Sequence, residues 1–183
     1  MNKLPEAAYV RACLDYDPDT GIFTWRERPR EHFPDERIWH TINARCASKV
    51  AGSRCYGGIY KERDYWAVGL AQARYPAHRL AWLLVYGADP WPLEIDHIDG
   101  DGLNNRIANL RLATRGQQLA NARLRKDNRL GIKGITRFRG GYQASIRANR
   151  KIHHLGTFPT IEEATEARRK AAIEFHGEYA RHE

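Results

Sequence analysis

Apolar and polar positions along the chain change period several times, and each change marks an element. Ala7 to Leu14 reads as a short helix. Asp17-Pro18-Asp19-Thr20-Gly21 is turn chemistry before the strand-like Ile22-Phe23-Thr24-Trp25. Residues 26–45 are polar and broken by prolines, which predicts a loop. Gly57-Gly58 and the alternating Tyr65 to Leu70 predict a second hairpin. His78 to Tyr86 is apolar nearly all round and predicts a buried helix stopped by Gly87. Leu93 to Ile98 alternates as a short strand, Asp99-Gly100-Asp101-Gly102 turns, and Leu110 to Ala113 returns as a strand. Thr114 is placed to cap a helix to about Ala122.

Beyond residue 130 the pattern becomes three strands and one helix. The strand-like runs are Gly131–Phe138, Tyr142–Ala148 and Lys151–Phe158, with Arg139-Gly140-Gly141 and Asn149-Arg150 in the turns. Thr160 and Glu163 form a capping-box pattern that opens a helix closed by Gly177. Ala164, Ala167, Ala171 and Phe175 give that helix a face of mostly small residues. These patterns predict an α+β chain in four parts. Residues 1–75 form an N-terminal extension rich in β-hairpins, 76–122 a core, 123–130 a basic linker, and 131–183 a three-stranded antiparallel sheet with one helix.

Composition narrows the class. The chain has 183 residues, 42% hydrophobic and 28% charged, which is globular. Its net charge is +8 and its pI about 9.6, a balance that favours polyanionic partners. Arg111 to Lys151 holds twelve Lys and Arg against one acid, Asp127. Arg123, Arg125 and Lys126 in this run are candidates for contact with a phosphate backbone. Three cysteines, an odd number, suggest no disulfide framework. The N-terminus shows no signal-like apolar run, and nothing approaches a membrane span. The expectation is a cytoplasmic monomer with no membrane partner.

The chemistry centres on Asp96-His97. Asn109 follows at the start of the return strand, and Gln118 and Asn121 lie three apart on the next helix, so on one face. Strand, loop, strand and helix are expected to bring these groups together. Phosphodiester hydrolysis needs a base for water and a cation for the phosphoryl charge. Histidine suits the first, and aspartate with a side-chain amide carbonyl suits Mg²⁺ or Mn²⁺. Arg106 and Arg111 are near enough in sequence to hold a phosphate.

The run Leu93 to Asp101 and then Asn104 to Arg111, preceded by His78-Arg79-Leu80-Ala81-Trp82, resembles the HNH homing endonucleases found in phages and introns. The resemblance implies a ββα-metal (His-Me finger) core, His97 as general base and Asp96 as metal ligand. It implies that Asn109 holds the loop and helps orient the histidine. The last position of the motif, a metal ligand on the helix and usually Asn or His, is Gln118 here, whose stem is one methylene longer than that of Asn. Asn121 is the alternative. His78 is expected to be structural and bonded to backbone.

Residues 131–164 resemble an AP2 DNA-binding domain through Gly131 to Ile135, Tyr142 to Ile146, His153 to Phe158 and Glu162-Glu163-Ala164. That resemblance implies a sheet in the major groove of double-stranded DNA, with Lys133, Arg137, Arg139, Gln143, Ser145, Arg147 and Lys151 as candidate contacts. The leading expectation is a metal-dependent DNA endonuclease. The alternative is a DNA-binding protein with an inactive nuclease core.

Overall fold

The computed structural model describes residues 3–55, 64–122, 124, 128 and 130–180. Gly57 and Gly58, and the basic residues Arg123, Arg125 and Lys126, lie outside them. The chain divides into two compact units, 1–112 and 113–183.

The first unit opens with helix α1 (Ala7–Cys13), whose Val10 and Cys13 are buried. Strands β1 (Leu14–Asp17) and β2 (Ile22–Trp25) form an antiparallel hairpin with Leu14 opposite Trp25 and Asp17 opposite Ile22. Its turn is closed by Asp17, whose carboxylate accepts from the Asp19 backbone N–H at 2.9 Å and from the Thr20 hydroxyl at 2.7 Å.

Residues 26–45 are not the expected loop. After a short 3-10 turn, Arg30–His32, comes helix α2 (Glu36–Cys46). Asp35 caps it, accepting from the Ile38 N–H at 2.8 Å. Trp39 Nε1 and Asn43 Nδ2 donate to the Arg28 carbonyl at 2.8 and 2.9 Å, which fastens the helix to the preceding segment. These partners are local polar groups rather than a long apolar stripe, so the hydropathy pattern does not show them.

Strands β3 (Ser53–Cys55), β4 (Tyr65–Leu70) and β5 (Ala73–Pro76) form an antiparallel sheet in that order. Helix α3 (Ala77–Tyr86) follows directly and ends at Gly87, which takes φ +76° and donates to the Leu83 carbonyl. Strand β6 (Glu94–His97) pairs with β7 (Leu110–Ala113). One apolar cluster runs through α1, β1, β2, β4, β5, α3, β6 and β7: Leu4, Val10, Leu14, Phe23, Val68, Tyr75, Leu80, Leu84, Ile95 and Leu110 are among its buried members. The sequence-based boundary between 75 and 76 therefore falls inside a continuous core, because α1 and the β1–β2 hairpin cover apolar surface that α3 and β6 also need covered.

In the second unit, Thr114 caps helix α4 (Arg115–Asn121) through a capping box with Gln117. Strands β8 (Ile135–Phe138), β9 (Gly141–Ala148) and β10 (Lys151–Phe158) form an antiparallel sheet in the order β10-β9-β8. The turns take left-handed conformations at Arg139, Gly140, Asn149 and Arg150. Helix α5 (Ile161–His176) begins at Thr160, which accepts from the Glu163 N–H, and it packs on β8–β10. Ala164, Ala171 and Ala172 are buried on the sheet with Ile135, Ala144 and Ile146. Phe175, expected inside, is exposed and stacks on His153 at 4.6 Å, whereas Arg168 is buried.

Among the described residues, no helix is long and apolar enough to cross a membrane.

Candidate active site

β6 turns Asp96 and His97 into the first unit, where they are 8% and 7% exposed. The loop that follows is fixed by its own polar side chains. Asp99 Oδ1 accepts from the Asp101 N–H at 2.8 Å, and Asn104 Nδ2 donates to Asp99 Oδ2 at 2.7 Å. Asn109 is the hub: Nδ2 donates to Asp99 Oδ1 at 3.0 Å and to the Asn104 carbonyl at 2.9 Å, while Oδ1 accepts from the Asp99 N–H at 3.1 Å. Burial raises the Asp99 pKa, but these hydrogen bonds outweigh it and hold the carboxyl below its usual range. The loop is thus held around an ionised Asp99.

The Asn109 side chain is bonded to the loop rather than to His97. Asn105, which is 2% exposed, does meet the imidazole. Its Nδ2 donates to the Leu103 carbonyl at 3.0 Å, which turns Oδ1 toward His97 Nε2 at 3.5 Å. An amide oxygen only accepts, so this contact favours the imidazole tautomer with its proton on Nε2 and its lone pair on Nδ1. In the sequence, Asn104-Asn105 is a polar doublet that continues a turn-rich loop. The doublet on a turn was the only signal, since Asn105 acts through the fold.

The β1–β2 hairpin, a segment in which the sequence shows no chemistry, holds Asn105 in place. The Tyr16 hydroxyl donates to the Asn105 carbonyl at 2.8 Å. Burial pushes the Tyr16 pKa up to about 12, so it remains a donor. Ile107 N–H donates to the Pro18 carbonyl at 3.0 Å. Gly21, at φ +74°, lies so close that a Cβ there would be 2.5 Å from Arg106 N and from Asn105 C.

The candidate arginines are engaged with protein. Arg106 Nε donates to the Asp19 carbonyl at 2.8 Å, so it ties the loop to the hairpin. Arg111 donates through Nε and one terminal nitrogen to Asp96 Oδ2, both at 3.1 Å. Asp96 and Arg111 form a nearly buried ion pair across β6 and β7.

His78 corrects the expectation of a backbone-bonded histidine. Its Nδ1 is buried and has no hydrogen-bond partner. Its ring stands 5.1 Å from that of His97 at 88°, with Tyr65 at 5.6 Å from His78 and 6.0 Å from His97. α3 presents His78 here because it starts directly after β5. Burial, then the neighbouring His97 and Arg79, drive the His78 pKa down to about 3. Burial also lowers the His97 pKa, offset in part by Asn105 and by the charges of Asp99, Asp96 and Asp101. Both rings are neutral near pH 7.

Gln118 and Asn121 belong to the second unit. Gln118 Oε1 accepts from Arg115 at 3.5 Å, and Asn121 is buried. Among the described residues, no group of three or more His, Cys, Asp or Glu is arranged to hold a metal ion. Lys133 is engaged as well: its Nζ donates to the carbonyls of Leu119, Ala120 and Ala122 at 3.2, 2.7 and 2.8 Å, which caps the C-terminal end of α4.

Strand register separates the sheet candidates. Arg147 lies opposite Ile152, Ser145 opposite His154, and Gln143 opposite Thr136 and Thr157. These alternate with Ala144, Ile146 and Ala148, which are buried, so Gln143, Ser145 and Arg147 share the face away from α5. Arg137 pairs with Tyr142 and Lys151 with Ala148, on the helix side, although both are exposed at its margin. Arg139 sits in the β8–β9 turn, its guanidinium 5.2 Å from the Phe138 ring.

A family model described as HNH endonuclease matches residues 75–120. The chain is 32% identical over 122 residues to "Uncharacterized HNH endonuclease L560" of Acanthamoeba polyphaga mimivirus, covering 66% of this chain and 64% of that protein. It is 32% identical over 106 residues to "Protein 3.8" of Escherichia phage T7, covering 57% of this chain and 87% of that protein. No solved structure gives a significant match. The matched segment encloses the Asp96-His97 strand and the Asn109-clamped loop, so residues 75–120 carry an HNH endonuclease domain.

Proposed function

We propose that this protein is a metal-dependent DNA endonuclease of the homing type, with His97 as the general base. The observation that carries the reading is the Asn105–His97 contact, which favours a neutral imidazole with its lone pair on Nδ1. In the step we propose, Nδ1 takes a proton from water as the water oxygen attacks phosphorus. The bond from phosphorus to the 3′ oxygen breaks, leaving a 5′-phosphate and, once the oxygen is protonated, a 3′-hydroxyl. A positioned base of this kind contributes about 10²–10⁴-fold.

The donor set fits a cation of the Mg²⁺ or Mn²⁺ type, which keeps several waters and needs only one or two protein carboxylates beside substrate phosphate. Asp96 is the carboxylate that would hold it, with Gln118, or else Asn121, as the second donor implied by the family motif. Such an ion supplies neutralisation of charge on the phosphoryl and departing oxygens. The chain's own residues hold the geometry: Arg111 orients Asp96, Asn105 orients His97, and Asn109 fixes the loop.

The outer face of the β8–β10 sheet, with Gln143, Ser145 and Arg147, supports a DNA-binding role of the AP2 type for the second unit. Arg137, Arg139, Lys151 and the linker residues Arg123, Arg125 and Lys126 extend the proposed contact by charge. Lys133, Arg106 and Arg111 act in this reading as braces.

The test is incubation of the full chain with supercoiled plasmid and Mg²⁺ or Mn²⁺. Nicking that EDTA stops, with 5′-phosphate ends, is the expected result. A second reading rests on the Arg111 guanidinium against Asp96 Oδ2, which already supplies that carboxylate with a cation. It is a DNA-binding protein without cleavage, and its signature is tight duplex binding with intact plasmid in every divalent ion.

A further inference from the structure

Helix α5 carries a cation on its apolar face. Ala164, Arg168, Ala171 and Ala172 are its buried residues, so a guanidinium lies among three small side chains packed on the sheet. Arg168 is 9% exposed. Its stem runs over Gly134, which extends the β8 ladder by one step: the Ser145 N–H donates to the Gly134 carbonyl at 2.8 Å. A Cβ on Gly134 would lie 2.8 Å from Arg168 Nε and 3.3 Å from Cδ, so glycine at this position leaves room for the arginine.

Arg168 Nε is buried with no hydrogen-bond partner. The terminal nitrogens also meet no acceptor among the described residues, and they are not enclosed, so they form the open end of the side chain. No carboxylate among the described residues offsets the charge: burial alone acts on the Arg168 pKa, and lowers it. A guanidinium stays protonated in proteins, so losing a proton does not relieve its burial. An aliphatic side chain of similar volume would fill the same space without that penalty. An oxyanion at the terminal nitrogens offsets it through two parallel N–H···O bonds.

The surroundings favour phosphate. His176 lies about two turns further along α5. Burial, and then the charges of Arg168 and Lys133, lower its pKa against a hydrogen bond to the Arg147 backbone. Two cations therefore act on one point at this end of the sheet. Lys133 Nζ is engaged with the α4 carbonyls, so it adds charge rather than a donor. From Gly131 to Ile161 the chain has six Lys and Arg and no Asp or Glu. A field of one sign favours the more highly charged oxyanion, phosphate over carboxylate.

We propose that Arg168 anchors a phosphate site on the α5 side of the second unit, with the phosphate group seated on the terminal guanidinium nitrogens beside His176. The site is distinct from the open face of Gln143, Ser145 and Arg147, because Arg168 reaches the sheet from the helix side.

The experiment follows thermal unfolding of the full chain, wild type and Arg168→Met, as inorganic phosphate replaces chloride at constant pH and ionic strength. Phosphate stabilises folded proteins in general by exclusion from their surface, and that part is common to both. Wild type is expected to show a further, saturable rise in Tm of about 3–6 °C at ten times Kd, absent in Arg168→Met. Equal responses in the two proteins overturn the proposal, and Arg168 then only carries its head toward water. Should Arg168→Met fail to fold, Arg168→Gln carries the comparison. Duplex binding by fluorescence anisotropy between 50 and 200 mM salt identifies the source of the phosphate. A slope of log K against log salt that is shallower by about 0.9 in Arg168→Met assigns it to the DNA backbone. Equal slopes, with the phosphate response still confined to wild type, assign it to the free anion. Failure of the endonuclease reading is separately visible as plasmid left intact in Mg²⁺ and Mn²⁺, and it leaves the phosphate titration unaffected.

Discussion

Substituting Gly21 by alanine tests whether the N-terminal hairpin sets the geometry of a site more than eighty residues further along the chain. Gly21 has φ +74°, where an L side chain costs about 1–2 kcal/mol. The new Cβ would also stand 2.5 Å from Arg106 N and Asn105 C, and 3.0 Å from the Asn105 oxygen. Ordinary contact begins near 3.4 Å, so hairpin and loop must separate by about 0.9 Å. These are backbone atoms braced by Tyr16 and Pro18, so no flexible side chain can absorb the shift. Asn105 would move away from a His97 contact that is already 3.5 Å long. Displacement on this scale corresponds to a fall in kcat of about 10- to 100-fold. Gly87→Ala is the control. It has φ +76° but nothing within 4 Å of its Cβ, so it carries the backbone strain without the displacement. Single-turnover nicking of supercoiled plasmid in Mg²⁺, with urea unfolding on the same preparations, separates the two. Both variants should lose about 1–2 kcal/mol from strain alone, and only Gly21→Ala should lose rate. A folded Gly21→Ala that cleaves like Gly87→Ala would refute the reasoning.

Three other outcomes follow from the same geometry. Asn105→Ala removes the acceptor at His97 Nε2 and should lower kcat about 10- to 100-fold with DNA affinity, read by fluorescence anisotropy, unchanged. Acid should destabilise the fold through His78. Its folded pKa is about 3 against about 6.5 unfolded, so its contribution is complete above pH 6.5 and is lost as pH falls, because only the unfolded chain then takes the proton. Urea unfolding should show a loss of about 2 kcal/mol from pH 7 to pH 5 attributable to this residue, absent in His78→Phe. Arg147→Ala, on the open face of the β8–β10 sheet, should weaken duplex binding and reduce the salt dependence by about one counterion if it meets phosphate. Binding assayed between 50 and 200 mM salt checks this.

Local signals carried much of this structure. The alternation of Leu93 to Ile98, the Asp-Gly turn and the return at Leu110 locate β6, the loop and β7, because strand periodicity and turn chemistry act over a few residues. Thr114, Thr160 and Gly87 mark helix ends for the same reason. Helix α2 was hidden because its capping aspartate and its anchors Trp39 and Asn43 sit in a polar, proline-broken context. The hairpin's hold on Arg106 and Asn105 joins residues 87 and 89 positions apart, which no local pattern encodes. Arg106, Arg111 and Lys133 read as free cations in one dimension, and their partners emerge only when distant backbone carbonyls and Asp96 come within reach. Faces of the C-terminal sheet became assignable once register set Arg147 outward and Lys151 on the helix side.

The central claim is that His97 removes the proton from the attacking water. Its most direct test is single-turnover cleavage by wild type and by His97→Ala in saturating Mg²⁺, with duplex affinity measured on the same proteins. The account predicts a loss of about 10²–10⁴-fold in the cleavage rate with affinity within a few-fold of wild type. Cleavage by His97→Ala at the wild-type rate would contradict it.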